Sequence, residues 1–132
     1  MNNTIDPLIG SKETNLVLLK VLAENSFDSI LITDATENGN IIYANPAFET
    51  LTGFDRTEVI GKTPRILQGT GTDEKVIARL SNALKSGGEF EGKAINHKKD
   101  GTPFIMYWRV LPIRVGEEIK AWIAIQREGS YI

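Results

Sequence analysis

The chain has no cysteine in its 132 residues. Disulfides, thiolate nucleophiles and cysteine-ligated metal sites are therefore excluded together. Histidine is almost as scarce. With His97 alone, neither a His-centred catalytic triad nor a multi-histidine metal site is expected within the chain. Positive charge is not in excess: 15 Lys and Arg face 17 Asp and Glu, a net charge of −2. Phosphate backbones are ordinarily bound by a basic excess or stripe, so no nucleic acid is expected as a partner. Long apolar runs are missing too. Runs such as residues 16–19 and 121–125 fall far short of the roughly 20 residues that span a bilayer, so no membrane partner is expected. The opening Met1-Asn-Asn-Thr-Ile-Asp6 has neither the basic start nor the apolar stretch of a secretion signal. A cytoplasmic location is the expectation. No nucleophile–base pair is visible, and Glu49, Glu58 and Asp73 read most simply as solvated or capping carboxylates, so the chain is not expected to be an enzyme.

What is present suits one globular domain with its own core. Residues 1–12, polar and broken by Pro7 and Gly10, read as a flexible lead-in. Leu16, Leu19, Val21 and Leu22 recur at near-helical spacing, with Leu18 widening the apolar face. Residues 13–25 are therefore predicted as a helix, capped by Thr14 or Asn15. Its apolar surface leaves two uses open, packing on its own domain and dimer formation. The domain proper is expected over 26–128, and 129–132 is a tail.

Within the domain, strands at 29–34 and 41–44 flank Asn38-Gly39, a pair that favours a tight hairpin. Asn45 caps and Pro46 opens a short helix that Gly53 ends. A second short helix over 56–60 closes at Gly61. Thr72-Asp73 caps a longer one with Val76, Ile77, Leu80 and Leu84 on one face and Gly87-Gly88 as its stop. Strands at 89–98, 102–114 and 119–127 follow, joined by turns at Lys99-Asp100-Gly101 and Gly116-Glu117, a meander. The expected fold class is α+β: an antiparallel sheet of about five strands, short helices on one face and an N-terminal helix.

This order, together with four stretches of sequence, resembles the PAS domain family from about residue 27 to 126. The stretches are Ile42-Tyr-Ala-Asn-Pro-Ala-Phe48 with Leu51-Thr-Gly-Phe54; Gly61-Lys-Thr-Pro-Arg-Ile-Leu-Gln-Gly69; Asn96-His-Lys-Lys-Asp-Gly-Thr-Pro-Phe104; and Pro112-Ile113 with Ile125-Gln126. The second is similar to the segment of the flavin-binding LOV branch that usually reads Gly-Lys/Arg-Asn-Cys-Arg-Phe-Leu-Gln-Gly. In that branch the cysteine forms a light-driven adduct with the flavin. Pro64 holds its position here, with neither a thiol nor a backbone N–H, so no adduct can form there.

The resemblance implies a cofactor site, residue by residue. Arg65 matches the arginine that pairs with the flavin phosphate, Gln68 a glutamine near the ring's pyrimidine edge and Asn96 an asparagine on its polar edge. Gln126 matches the last-strand glutamine that senses protonation of the ring. Three contacts are altered. Thr63 replaces an asparagine, Met106 replaces the second ring asparagine, and the second phosphate arginine falls at Ser81, with Arg79 nearby as a substitute. The implied function is a sensor of blue light or redox state that holds flavin non-covalently, FMN more than FAD. Tyr107, Trp108 and Trp122 are its candidate electron donors. Strand alternation lets only one of Tyr107 and Trp108 face the pocket. The apolar strand around Gln126 implies a polar partner for its amide, a ligand or a neighbouring backbone.

A homodimer through the N-terminal helix and the outer sheet face is expected, with a relay through the sheet to an unknown effector. Gly-Lys-Thr-Pro-Arg also occurs in PAS domains not known to bind flavin. An alternative therefore stands: a module whose pocket is empty or holds a small metabolite, serving dimerisation and signal relay. Haem would need an axial ligand, and His97, beside Lys98-Lys99-Asp100-Gly101, is expected at an exposed turn. Neither haem nor a metal is expected.

Overall fold

The computed structural model describes residues 11–130. Residues 1–10 of the expected lead-in over 1–12 and the last two residues of the tail lie outside them. Ser11 caps the N-terminal helix α1 (Lys12–Glu24), its Oγ accepting from the Thr14 N–H, so the helix begins earlier than Thr14 or Asn15 would place it. No residue of α1 is buried. It is tied to the body at its C-terminal end, where the Glu24 carboxylate accepts from the Arg56 guanidinium and the Tyr43 hydroxyl.

Strands β1 (Ser29–Asp34) and β2 (Ile41–Ala44) pair antiparallel. The connection is not a tight two-residue turn. Gly39 has φ 66°, but no non-glycine residue adopts positive φ among the described residues, Asn38 included. A longer loop forms instead, organised by Asp34, whose carboxylate accepts from the N–H groups of Thr36 and Asn40. Helix α2 (Pro46–Thr52) starts with Asn45 accepting from the Phe48 N–H and ends at Gly53, φ 77°. Helix α3 (Arg56–Val59) carries a capping box between Asp55 and Glu58. A 3-10 turn, Pro64–Leu67, precedes helix α4 (Glu74–Lys85), which Asp73 caps.

Strands β3 (Phe90–His97), β4 (Pro103–Val115) and β5 (Glu118–Glu128) form the meander. The five strands make one antiparallel sheet in the order β2-β1-β5-β4-β3. The first hairpin therefore docks against the last strand, which brings Ser29 opposite Gln126. Alternation along β4 sends Phe104, Met106, Trp108 and Val110 inward, where they are buried with Phe90 and Leu67. Leu80 and Leu84 of α4 pack on this cluster. A second cluster, Leu31, Ile41, Ala44, Phe48 and Val59, seals the space between the first hairpin and α2–α3. Between the sheet and the helical face a cavity remains.

Candidate ligand-binding site

The cavity has a volume of about 460 Å³, within the range of small-molecule sites. Its two walls differ in kind. The sheet contributes Asn96 from β3, Met106 and Trp108 from β4, and Trp122 and Gln126 from β5. The helical side contributes Thr63, Pro64, Arg65, Leu67 and Gln68 around the 3-10 turn, then Ile77, Leu80, Ser81, Leu84 and Lys85 from α4. The β1–β2 loop, residues 35–39, forms part of the rim with Thr33 and Asp34.

The sheet wall carries two buried amides. Gln126 is 4% exposed, and its Oε1 accepts from Ser29 Oγ at 2.9 Å. Its polar partner is thus a hydroxyl on the adjacent strand, not a backbone group, because β1 rather than a helix lies beside β5. Asn96 is 9% exposed and its Nδ2 reaches Met106 Sδ at 3.3 Å, so the methionine supplies a weak acceptor to an asparagine diagonal to it on the neighbouring strand. Among the described residues neither Gln126 Nε2 nor Asn96 Oδ1 has a hydrogen-bond partner. Both residues line the cavity. One donor and one acceptor are therefore held ready for a ligand with a polar edge.

The helical wall is wetter. Pro64, Arg65 and Gln68 are exposed. The backbone N–H of Arg65 donates to Thr63 Oγ1, which caps the 3-10 turn. Arg65 and Lys85 make no ion pair among the described residues. Two uncommitted cations at the rim suit an anionic group such as a phosphate. Across the rim, the hydroxyl of Thr36, then the N–H groups of Asn40 and Thr36, hold the Asp34 carboxyl below its usual range, so this carboxylate is already satisfied within its own loop.

Several expected residues fall elsewhere. Arg79 does not line the cavity; its guanidinium lies over the Phe90 ring, 5.0 Å from the centroid, because its place on α4 faces the β3 edge. Lys85 reaches the cavity instead. It lies one helical turn beyond Ser81 and two beyond Ile77, all on the same face, and that i, i+4, i+8 spacing was the available signal. Tyr107 sits outside the cavity, while its neighbour Trp108 is buried and lines it; Trp122 lines it as well. His97 is not on an exposed turn. It ends β3 at 7% exposure, Nε2 accepting from the Gly71 N–H at 3.2 Å and Nδ1 lying 3.3 Å from the Leu67 carbonyl. Those contacts orient Nδ1 as the donor and pin the loop after the 3-10 turn. Gly69 and Gly71 allow that approach: a Cβ at Gly69 would fall 2.8 Å from the imidazole. Ser29, the partner of Gln126, was missed, although its place two residues before the inward Leu31 marks it as inward-facing.

Among the described residues no cluster of three or more His, Asp or Glu could hold a metal, and no helix is long and apolar enough to cross a membrane. The model of the PAS domain family matches residues 28–128. Phototropin-2 of Oryza sativa subsp. japonica is 41% identical over 105 residues, 77% of this chain but 12% of that protein. A solved structure described as "Flavin Analogue Sheds Light on Light-Oxygen-Voltage Domain Mechanism" superposes with a TM-score of 0.79 at 30% identity, covering 87% of this chain and 86% of that one. The LOV domain from Erythrobacter litoralis EL346 blue-light activated histidine kinase gives a TM-score of 0.73 at 32% identity, covering 76% of this chain and 94% of that one. The five-stranded sheet and the helical face thus have their counterparts in known proteins, and the chain belongs to the PAS domain family, in its light-oxygen-voltage branch.

Proposed function

We propose that the chain is a sensory domain that binds flavin mononucleotide non-covalently in the cavity and reports blue light or redox state. The observation that carries this reading is the pair of buried amides, Asn96 and Gln126, each with one group unpartnered at the cavity surface. A planar heteroaromatic with alternating acceptors and N–H donors along one edge satisfies both, and the flavin analogue named for a solved relative supports that choice. When bound, a flavin supplies blue-light absorption and reversible uptake of electrons and protons.

This chain's residues would divide the work. Gln126 Nε2 donates and Asn96 Oδ1 accepts at the ring's polar edge. Arg65 and Lys85 take the phosphate, and a single such pair matches one phosphate better than the longer, bulkier FAD. Leu67, Leu80, Leu84 and the two tryptophans exclude water from the ring. Trp108 and Trp122 border the cavity and carry oxidisable indoles; Tyr107 does not border it. Pro64 sits in the wall with no nucleophile to offer.

The absorption spectrum of purified protein titrated with FMN tests the reading. A structured blue band that stays with the protein through gel filtration is expected; a colourless protein that takes up no FMN would sink it. The reading of the domain as a dimerisation and relay module then stands alone. It is favoured by α1, which leaves Leu16, Val17, Leu19, Val21 and Leu22 between 52% and 63% exposed. We propose that a second copy covers this surface, together with the outer sheet face that carries Ile30, Ile32, Ile123 and Ile125. Sedimentation of Leu16→Asp/Leu19→Asp is expected to give monomer where the parent gives dimer.

A further inference from the structure

The last two residues of β3 serve different parts of the molecule. Asn96 lines the ligand cavity, whereas the His97 ring meets the segment that closes over this edge strand of the sheet. Its Nε2 accepts from the Gly71 N–H at 3.2 Å, and its Nδ1 lies 3.3 Å from the Leu67 carbonyl. These two contacts bracket Gln68, which lines the cavity from the helical side. Residues 69–72 form a turn bonded to itself: the Thr72 N–H donates to the Gly69 carbonyl, and the Gly69 N–H to Thr72 Oγ1. The approach is close. A Cβ at Gly71 would fall 2.9 Å from Ile95 Cγ2 and 3.4 Å from His97 Nε2.

We propose that His97 is a positioning residue of the ligand site: its neutral imidazole latches Gln68 and the loop after it to the sheet, and protonation releases them. The proposal rests on the cavity taking a ligand, as argued above. A neutral imidazole offers one N–H and one lone pair. Both are in use here, the Nδ1–H toward the Leu67 carbonyl and the Nε2 lone pair toward the Gly71 N–H. An imidazolium has two N–H groups and no acceptor. Its Nε2–H would oppose the Gly71 N–H, two donors 3.2 Å apart. The contact with Leu67 survives protonation, and Leu67 is itself buried in the first core cluster. The stretch that comes free is therefore Gln68 to Thr72.

The surroundings of the ring do not offset the added charge. Among the described residues His97 makes no ion pair. Residues 66–72 carry no charge; before them Arg65 is exposed at the cavity rim, and after them Asp73 accepts from the Lys75 N–H. On the sheet side Pro103 stands opposite His97. In the adjoining turn Lys98 donates to the Leu51 carbonyl and lies 4.0 Å from Glu128, Lys99 pairs with Glu58, and Asp100 accepts from the Thr102 N–H. At 7% exposure an unpartnered imidazolium is costly. Outward movement of the loop admits water to the ring and relieves that cost. The helical wall then no longer holds Gln68 in place across from Asn96, and the ligand is held less tightly in acid.

Nuclear magnetic resonance on the full chain tests this, because the chain has one histidine and its ring signals follow protonation directly. Histidines change charge between about pH 5 and 8. Over that range, without ligand, protection of the Gly71 N–H from hydrogen exchange, relative to its intrinsic rate at each pH, should fall about tenfold in step with the ring signals. His97→Gln keeps a donor and an acceptor but cannot titrate, and its Gly71 protection should not vary with pH. Riboflavin is the ligand probe, since the phosphate of FMN itself titrates near pH 6. Its affinity for the parent should fall about tenfold from pH 8 to 5, and that fall should vanish in His97→Gln. A ring that stays neutral to about pH 5, Gly71 protection that ignores the ring's titration, or a loss of affinity that persists in His97→Gln overturns the latch. If neither riboflavin nor FMN binds at any pH, the ligand reading falls, and Gly71 protection in the ligand-free protein decides whether the latch exists.

Discussion

The two walls of the cavity are built on different principles. The sheet wall is a piece of the core: Trp108 packs on Phe90 with ring centroids 5.1 Å apart, and Gln126 and Asn96 are buried on its inner face. The helical wall is a run of short elements, a 3-10 turn of 4 residues and one amphipathic helix, with Pro64, Arg65 and Gln68 exposed. Such short pieces are held by packing and not by their own propensity. A side chain can therefore be exchanged on the helical wall at little cost to the fold, whereas the sheet wall cannot be altered without altering the core.

The largest expected effect is a gain of chemistry on the helical wall. Pro64→Cys combined with Thr63→Asn places a thiol beside the cavity without touching the buried cluster. In FMN-loaded protein it is expected to produce a light-driven loss of the blue band that recovers in the dark, complete against none in the parent. Bound FMN with no bleaching would mean that the ring does not lie against the 3-10 turn.

On the sheet wall the corresponding change is a loss. Trp108→Ala empties a buried site and should cost about 3–5 kcal/mol of stability by chemical denaturation. Pro64→Ala, exposed across the cavity, should stay within about 1 kcal/mol. Equal costs would dissolve the contrast between the walls.

A narrower test separates affinity from stability. Arg65→Ala is expected to leave the ligand-free midpoint within about 0.5 kcal/mol and to weaken FMN binding about 10- to 100-fold through loss of a charge-assisted bond. Gln126→Ala should do the reverse in emphasis, costing about 1–3 kcal/mol of stability because Ser29 Oγ loses its buried partner. If Arg65→Ala destabilises as much as Gln126→Ala, the rim arginine is structural.

Much of this contrast was legible in the sequence, and the rest was lost for physical reasons. The α+β order, the caps at Asn45 and Asp73 and the meander follow from local signals that act within a few residues. Strand alternation alone separates Trp108 from Tyr107. What failed depended on neighbours distant in sequence. The hydroxyl of Ser29 meets Gln126 only because the first hairpin docks on the last strand. His97 looked like a turn residue because its flanks are charged, and it is buried because Gly69 and Gly71 let a loop close over it. Arg79 is near Ser81 in sequence, but the helical period turns it away, and Lys85, four residues beyond Ser81, shares its face.

The smallest expected effect lies on neither wall, at the anchor of α1. Hydrogen bonds from the Arg56 guanidinium, and then from the Tyr43 hydroxyl, lower the Glu24 carboxyl from 4.5 to about 2. A carboxyl depressed in the folded state stabilises it fully above its unfolded value and loses that contribution as pH falls. Thermal stability should therefore decline between pH 4.5 and about 2. Glu24→Gln removes the titrating group and should flatten that part of the profile while lowering the plateau above it. Because Glu24 does not line the cavity, saturating FMN is expected to raise both profiles in parallel. An acid limb unchanged in Glu24→Gln would assign the decline to other carboxylates, such as Asp34 or Glu58, whose acidities are also raised by hydrogen bonds.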